Sequence, residues 1–262
     1  MTPWSTALVT GASSGIGDAF ARELAATGTD LVVVARDRER LELLAKKLHE
    51  AHGVHVEVLA ADLSAPVSRA AVEKRLADRT RPVDLLVNNA GFGTVGRFVD
   101  LPIGREEQQV QLNVLAVLRL TSVALAGMVA RGHGNVVNVA SIAAFVPAPD
   151  SATYAATKAF VCSFTESLHD ELAGTGVCAT ASVPGFTRTE FQDRAEWTEQ
   201  EHVPERAWLS PEQVARDSLA AARAGRTRVV PGVGYKALVG VAQVIPGTPK
   251  RWLAATVRRL AR

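Results

Sequence analysis

The stretch "TALVTGASSGIG", residues 6–17, runs an apolar strand candidate into a helix through a turn with glycine at 11, 15 and 17. Without side chains at those positions the backbone can approach a pyrophosphate. The first N–H groups of the following helix, and its dipole, favour an anion there. A tight turn with no ligand would use the same glycines. The position at the first strand-to-helix junction of the chain favours the phosphate-binding reading.

Outward from this turn, short Val-rich runs alternate with longer amphipathic ones. Strands are expected at 6–10, 30–35, 54–60, 83–88, 134–141, 177–184 and 228–230, bounded by Gly, Asp or Pro. Near-continuous apolar strands suit a parallel sheet covered on both faces. Helical patterns fall between them at about 15–27, 37–52, 66–80, 104–131, 152–174 and 211–224. The alternation predicts an α/β fold: one Rossmann-type, doubly wound parallel sheet of about seven strands flanked by helices. There is no repeat or linker, so residues 1–262 read as one domain. Residues 186–209 form the one long irregular stretch, and long loops in compact domains are often lids.

The 262 residues are 47% hydrophobic, enough for one large core. Cys162 and Cys178 are too few for a disulfide framework and read as buried free thiols in a reducing compartment. No leader pattern and no run of about 18 apolar residues are visible, which predicts a cytoplasmic chain without a membrane span. A net charge of +2 argues against nucleic acid as the main partner. The charge is uneven. All 27 acidic residues lie at or before Asp217, whereas residues 218–262 hold nine Lys/Arg and no acid.

The second strand should end near an adenosine ribose. A cofactor without a 2′-phosphate usually meets an acid about 20 residues past the glycine turn. Here Arg36 follows Ala35, and a guanidinium suits a phosphate. Asp37 reads as the N-cap of the next helix. The pattern favours NADP(H) over NAD(H), with Arg40 either helping or solvated. Asp62, in "AADL", is either an acceptor for the adenine amino group or another helix-start residue. In "NNAG", 88–91, the Asn pair can lock strand ends while Gly91 permits close backbone approach.

"ATYAATKAF", 152–160, sets Tyr154 one helical turn before Lys158. Residues i and i+4 share a helix face. Either the pair is incidental, or the ammonium serves to make the phenol more acidic. Ser141 ends the fifth strand, thirteen residues before Tyr154. In open α/β sheets ligands bind beyond the carboxyl ends of the strands. Asn113 sits inside a helical run where Asn is unfavourable, which points to a polar packing partner or to a local helix break feeding a water chain.

Taken together, "TGASSGIG", "NNAG", Asn113, Ser141, "YAATK" and "PGFTRT" resemble the short-chain dehydrogenase/reductase family, in order and spacing, over about residues 5–225. The resemblance implies Tyr154 as acid/base, Lys158 as its pKa modulator and ribose ligand, Ser141 as the carbonyl-orienting donor and Asn113 as a relay. It implies cofactor contacts from Gly11, Ser13, Ser14, Gly15, Ile16, Gly17, Arg36, Asp62, Leu63, Asn89, Ala90, Gly91, Tyr154, Lys158, Pro184, Gly185, Thr187 and Thr189. Thr187 stands where an aliphatic residue is usual. The activity implied is hydride transfer between nicotinamide and a carbonyl or secondary alcohol. The competing class is a nucleotide-sensing or scaffold protein on the same fold. No metal site is expected.

Phe92, Phe98, Ile142, Phe145, Phe186, Phe191, Trp197 and Trp208 lie on or near the expected active edge and favour a lipophilic substrate. The basic stretch 228–262 departs from the family pattern, which puts the family's tail-mediated tetramer in doubt. A homodimer through 104–131 and 152–174 is expected by resemblance. Read as a helix, 250–262 is amphipathic with a basic face. It either packs on the protein itself or docks on an anionic membrane, peripheral at its inner surface, or on an acidic carrier.

Overall fold

The computed structural model describes residues 4–146, 148–195 and 203–244. Seven parallel strands form one sheet in the order β3-β2-β1-β4-β5-β6-β7. They are β1 Thr6–Thr10, β2 Asp30–Ala35, β3 Val56–Ala60, β4 Leu85–Asn88, β5 Gly134–Val139, β6 Val177–Ser182 and β7 Arg228–Val229. The order reverses between β1 and β4, which opens a crevice at the carboxyl ends of those strands, as in other doubly wound sheets.

The helices are α1 Gly15–Ala25, α2 Arg38–His52, α3 Pro66–Leu76, α4 Ile103–Val110, α5 Val117–Arg131, α6 Ala152–Glu171, α7 Phe191–Arg194, α8 Pro211–Arg223 and α9 Val233–Val244. One apolar cluster joins β1, β2, α1, α2 and α8 through Leu8's neighbours Ala7 and Val9, with Phe20, Leu24, Leu41 and Leu219. A second lies on the opposite sheet face, where Leu86, Leu120, Met128 and Val136 meet. The expected strands begin and end within a few residues of the observed ones. The trimmed residues, such as Ser141 and Pro184, are the ones that turn out of the ladder toward the crevice.

The helix expected at 104–131 is interrupted at Asn113, where a π-helical segment, Gln111–Ala116, joins α4 to α5. That same helix, Ile103–Arg131, is long and apolar enough by length and composition to cross a membrane. In this fold its apolar residues divide instead between the core, through Leu120 and Met128, and an exposed face. Residues 228–244 of the basic stretch are built into the fold as β7 and α9. Residues 233–244 form α9, with Val239 and Ala242 buried, against a cluster with Val161, Val183 and Val230. The amphipathic run 250–262 and Trp197 lie outside the described residues.

Candidate active site

The crevice is held in shape by Thr10, at the end of β1. Its hydroxyl accepts from the backbone N–H of Asn89 at 2.9 Å and of Ala90 at 3.0 Å, and donates to the Val87 carbonyl. Asn89 returns the tie, donating from Nδ2 to the Thr10 carbonyl at 2.9 Å. Asn88 donates to Asn138 on β5 and to Thr121 on α5. The Asn pair therefore locks adjacent strand ends, as its sequence position indicated. Thr10 was missed as the other half of the lock, although it directly precedes the glycine turn.

Gly11 and Gly15 have φ of +67° and +57°, where L side chains are strained. A Cβ on Gly17 would run into the Gly11 carbonyl oxygen, and one on Gly11 would lie 2.8 Å from Asn89 Nδ2. Ser14 caps α1 in extended conformation with no side-chain cap bond. The turn thus offers bare backbone and free N–H groups. Ser13 and Ile16 flank these glycines, and Leu63 is buried below the third strand end.

At the end of β2, Asp37 caps α2, its carboxylate accepting from Arg40 N at 3.0 Å. Arg36 is exposed and makes no ion pair among the described residues. Asp62 Oδ1 accepts from both the N–H and the hydroxyl of Ser64. It therefore shapes the turn into α3, whose N-cap is Ala65. Arg40 is not simply solvated: it pairs with Asp37 and with Glu190.

The catalytic candidates converge across α6, β5 and the π-helical segment. Ser141 leaves β5 with its backbone neighbours tied to β6: Ala140 N donates to the Ser182 carbonyl and Ile142 N to the Pro184 carbonyl. Its Oγ accepts from Ala143 N at 3.2 Å and lies near enough to the Tyr154 phenol to oppose the rise in its pKa. Lys158, buried, donates from Nζ to the Val139 carbonyl at 2.8 Å. Asn113, 1% exposed, is fully engaged. It exchanges hydrogen bonds with both the N–H and the carbonyl of Phe92, and donates to Thr157 Oγ1 at 3.2 Å. Thr157 in turn donates to the Tyr154 carbonyl. Gly91 sits beside this group, with Asn113 Oδ1 3.0 Å from where its Cβ would stand.

The expected acidification of Tyr154 by Lys158 is not what the folded chain alone produces. Burial pushes the phenol up to about 12, opposed only by the nearby Ser141 hydroxyl. The ammonium lies 5.7 Å from the ring centroid, and its own burial pulls it down to about 8. Both groups lose more from leaving water than they gain from each other.

The later segment wraps the other side. Thr187 is buried, pairs with Leu209 in an isolated parallel bridge, and gives its carbonyl to Gln192 Nε2 at 2.9 Å. Thr189 Oγ1 accepts from Phe191 N. The Phe191 ring stands 5.5 Å from the Tyr154 ring. The Phe186 and Trp208 rings are 5.8 Å apart, while Ile142, Phe145 and Tyr235 each pack on the same buried cluster. Phe92 lies under the Arg105 guanidinium. Phe98 is 54% exposed and does not join the set. Tyr235 on α9 was not foreseen. It donates to the Ala207 carbonyl at 2.6 Å, accepts from Phe186 N at 3.2 Å, and lays its ring against Gly185. The signal was present in "VGYKALVGVA", where Tyr235, Val239 and Ala242 recur at helical spacing.

A parallel sheet with a glycine turn at its switch point and a Ser–Tyr–Lys group at its carboxyl edge defines a class of nucleotide-dependent oxidoreductase. A family model described as short chain dehydrogenase matches residues 5–200. An uncharacterized oxidoreductase of Staphylococcus epidermidis is 31% identical over 197 residues, covering 75% of this chain and 84% of the relative. Among solved structures, a short-chain dehydrogenase from Sphingobium yanoikuyae in complex with NADPH superimposes with a TM-score of 0.83 at 36% identity. That match covers 93% of this chain and 97% of the other. The bulky-bulky ketone specific alcohol dehydrogenase from Comamonas testosteroni gives 0.79 at 32% identity, covering 94% and 97%. The chain belongs to the short-chain dehydrogenase/reductase family and is an oxidoreductase of that family.

Proposed function

We propose that this enzyme uses NADP(H) to interconvert a carbonyl and a secondary alcohol on a lipophilic substrate. The observation that carries the reading is the convergence of Ser141, Tyr154 and Lys158 at the carboxyl edge of the sheet, with Lys158 fixed to the Val139 carbonyl. The cofactor residues fit a dinucleotide: the glycine turn is bare backbone, and the N-terminus of α1 lacks a side-chain cap. Arg36 is free for a 2′-phosphate, while Asp37 is occupied in capping α2. The NADPH-bound state of the Sphingobium relative supports the same choice.

The nicotinamide, when bound, supplies or accepts the hydride. Everything else falls to the chain. A phenol held near 12 is protonated at neutral pH, which is the form a general acid needs toward a carbonyl oxygen. Ser141 is placed to hydrogen-bond that oxygen as charge develops on it. Lys158 and the Asn113–Thr157 pair fix the helix that carries Tyr154. Phe191 against the Tyr154 ring, with Phe186 and Trp208 beside the lid base, supports an apolar substrate. The relative named for bulky ketones points the same way.

The test is NADPH oxidation with a panel running from small polar keto acids to bulky apolar ketones. The bulky ketones are expected to turn over best. Tyr154→Phe should retain cofactor binding and lose roughly 10²-fold or more in turnover. Wild-type-like turnover in that variant rules out the assigned acid. A preference for small keto acids rules out the apolar pocket.

A further inference from the structure

The first residues of the lid cross the crevice and place a carboxylate among cations. Arg40 Nη1, in the first turn of α2, donates to both Glu190 oxygens at 2.9 Å. Arg194 Nη2 donates to Glu190 Oε2 at 2.5 Å and to Ser14 Oγ, the N-cap of α1, at 3.2 Å. Glu190 thus pairs with the first turn of α2 and, through Arg194, is linked to the N-cap of α1. Next to it, Thr189 Cγ2 is 2.9 Å from where a Cβ on Gly15 would stand. The glycine turn is therefore covered at Gly15 by the same segment. Each partner is about half exposed, with side-chain exposures of 49% for Arg40, 46% for Glu190 and 50% for Arg194. A competing anion from solvent can reach them.

We propose that Glu190 is a resident counter-ion that the phosphates of an NADP-type cofactor displace, so that the 2′-phosphate gains Arg40 and the start of the lid is released from the glycine turn. Arg36 directly follows β2 and Arg40 lies in the first turn of α2, so releasing Arg40 from Glu190 would leave two guanidiniums near the end of β2. The carboxylate suits a temporary occupant. An exposed carboxylate–guanidinium pair is weak and salt-screened, whereas a phosphate brings more charge and more acceptor oxygens. Glu190 then tunes cofactor choice: without the 2′-phosphate, only the Asp37 carboxylate, 3.4 Å away, remains on Arg40. This inference rests on the NADP(H) reading above.

The experiment is calorimetric titration of the full chain with NADPH, NADH and 2′,5′-ADP, the last carrying the 2′-phosphate without nicotinamide. Glu190→Gln removes the charge and keeps the size. It should tighten NADPH and 2′,5′-ADP by roughly threefold to tenfold, as two exposed pairs permit, and change NADH by less than twofold. Half-molar salt should shrink the gain. In an Arg40→Gln background the gain should also shrink, since the two residues are coupled. Hydrogen exchange on the wild type should show the Arg194 and Ala195 amides, which bond to the Glu190 and Phe191 carbonyls, less protected once 2′,5′-ADP binds. An unchanged or weakened NADPH affinity in Glu190→Gln overturns the proposal, and so does equal tightening of NADPH and NADH. A wild-type chain that binds none of the three ligands defeats the cofactor reading itself, and the counter-ion role falls with it.

Discussion

Lys158 carries a sharp conflict between burial and charge. The lysine would titrate near 10.5 in water, and burial in the fold pulls it to about 8. Between those values the unfolded chain holds more protons than the folded one, so stability rises with pH across that window. Tyr154 has the opposite sign. Pushed from 10.0 up to about 12, it keeps its proton in the folded state, and stability falls as pH climbs through that range. Burial also pushes the Cys162 and Cys178 thiols up, and their contribution falls across the same window, so the lysine is read by difference. Between pH 8 and 9.5, urea unfolding of the wild type should gain on the order of 1–2 kcal/mol relative to Lys158→Met. An equal pH response in the two proteins would mean that the ammonium stays well hydrated.

At the scale of elements, the π-helical segment 111–116 and α9 each place one side chain that regular structure would not. A π segment inserts an extra residue into a helical turn and is often found at functional sites. Here it turns Asn113 onto the Phe92 backbone. Helix α9 sets the Tyr235 hydroxyl between the Phe186 N–H and the Ala207 carbonyl, tying those two backbone positions together. Tyr235→Phe keeps the ring and loses both bonds, for about 1–2 kcal/mol. In a chain of this size that is a fall of roughly 2–8 °C in Tm, read by calorimetry. Gly185→Ala should cost more, because its Cβ would meet the Tyr235 ring. A Gly185→Ala protein that melts like wild type would show that the ring does not rest there.

Across the whole molecule, the long helix and α6 leave an apolar face outward. Val110, Leu115, Leu118, Val129 and Phe160 are each between 37% and 43% exposed, and Phe160 stacks on Phe164 at 5.6 Å. Exposed apolar residues grouped on neighbouring helices are the kind of surface that interaction sites use. A second copy of the chain is the partner that the family resemblance implies for these two helices. Light scattering should give a dimer for wild type and a monomer for Leu118→Glu combined with Phe160→Glu, with the helical signal kept. A wild type that is monomeric at micromolar concentration would remove this face as the interface.

What the amino-acid sequence determined by itself was local. Strand and helix alternation, the glycine turn, the Asp37 cap and the order of the motifs depend on periodicity and backbone preference within a few residues. The π segment escaped because Asn113's partners, Phe92 and Thr157, are distant in sequence. Helix α9 escaped because its short apolar run gains its meaning only from the Val161–Val183 cluster it covers. The Arg40–Glu190 pair joins residues 150 positions apart, and no spacing rule reaches that far. The direction of the Tyr154 shift was also a tertiary matter. The sequence places an ammonium one turn from the phenol, but whether charge or desolvation wins depends on how much water the fold leaves around each group. Here the fold leaves little around either, and desolvation wins.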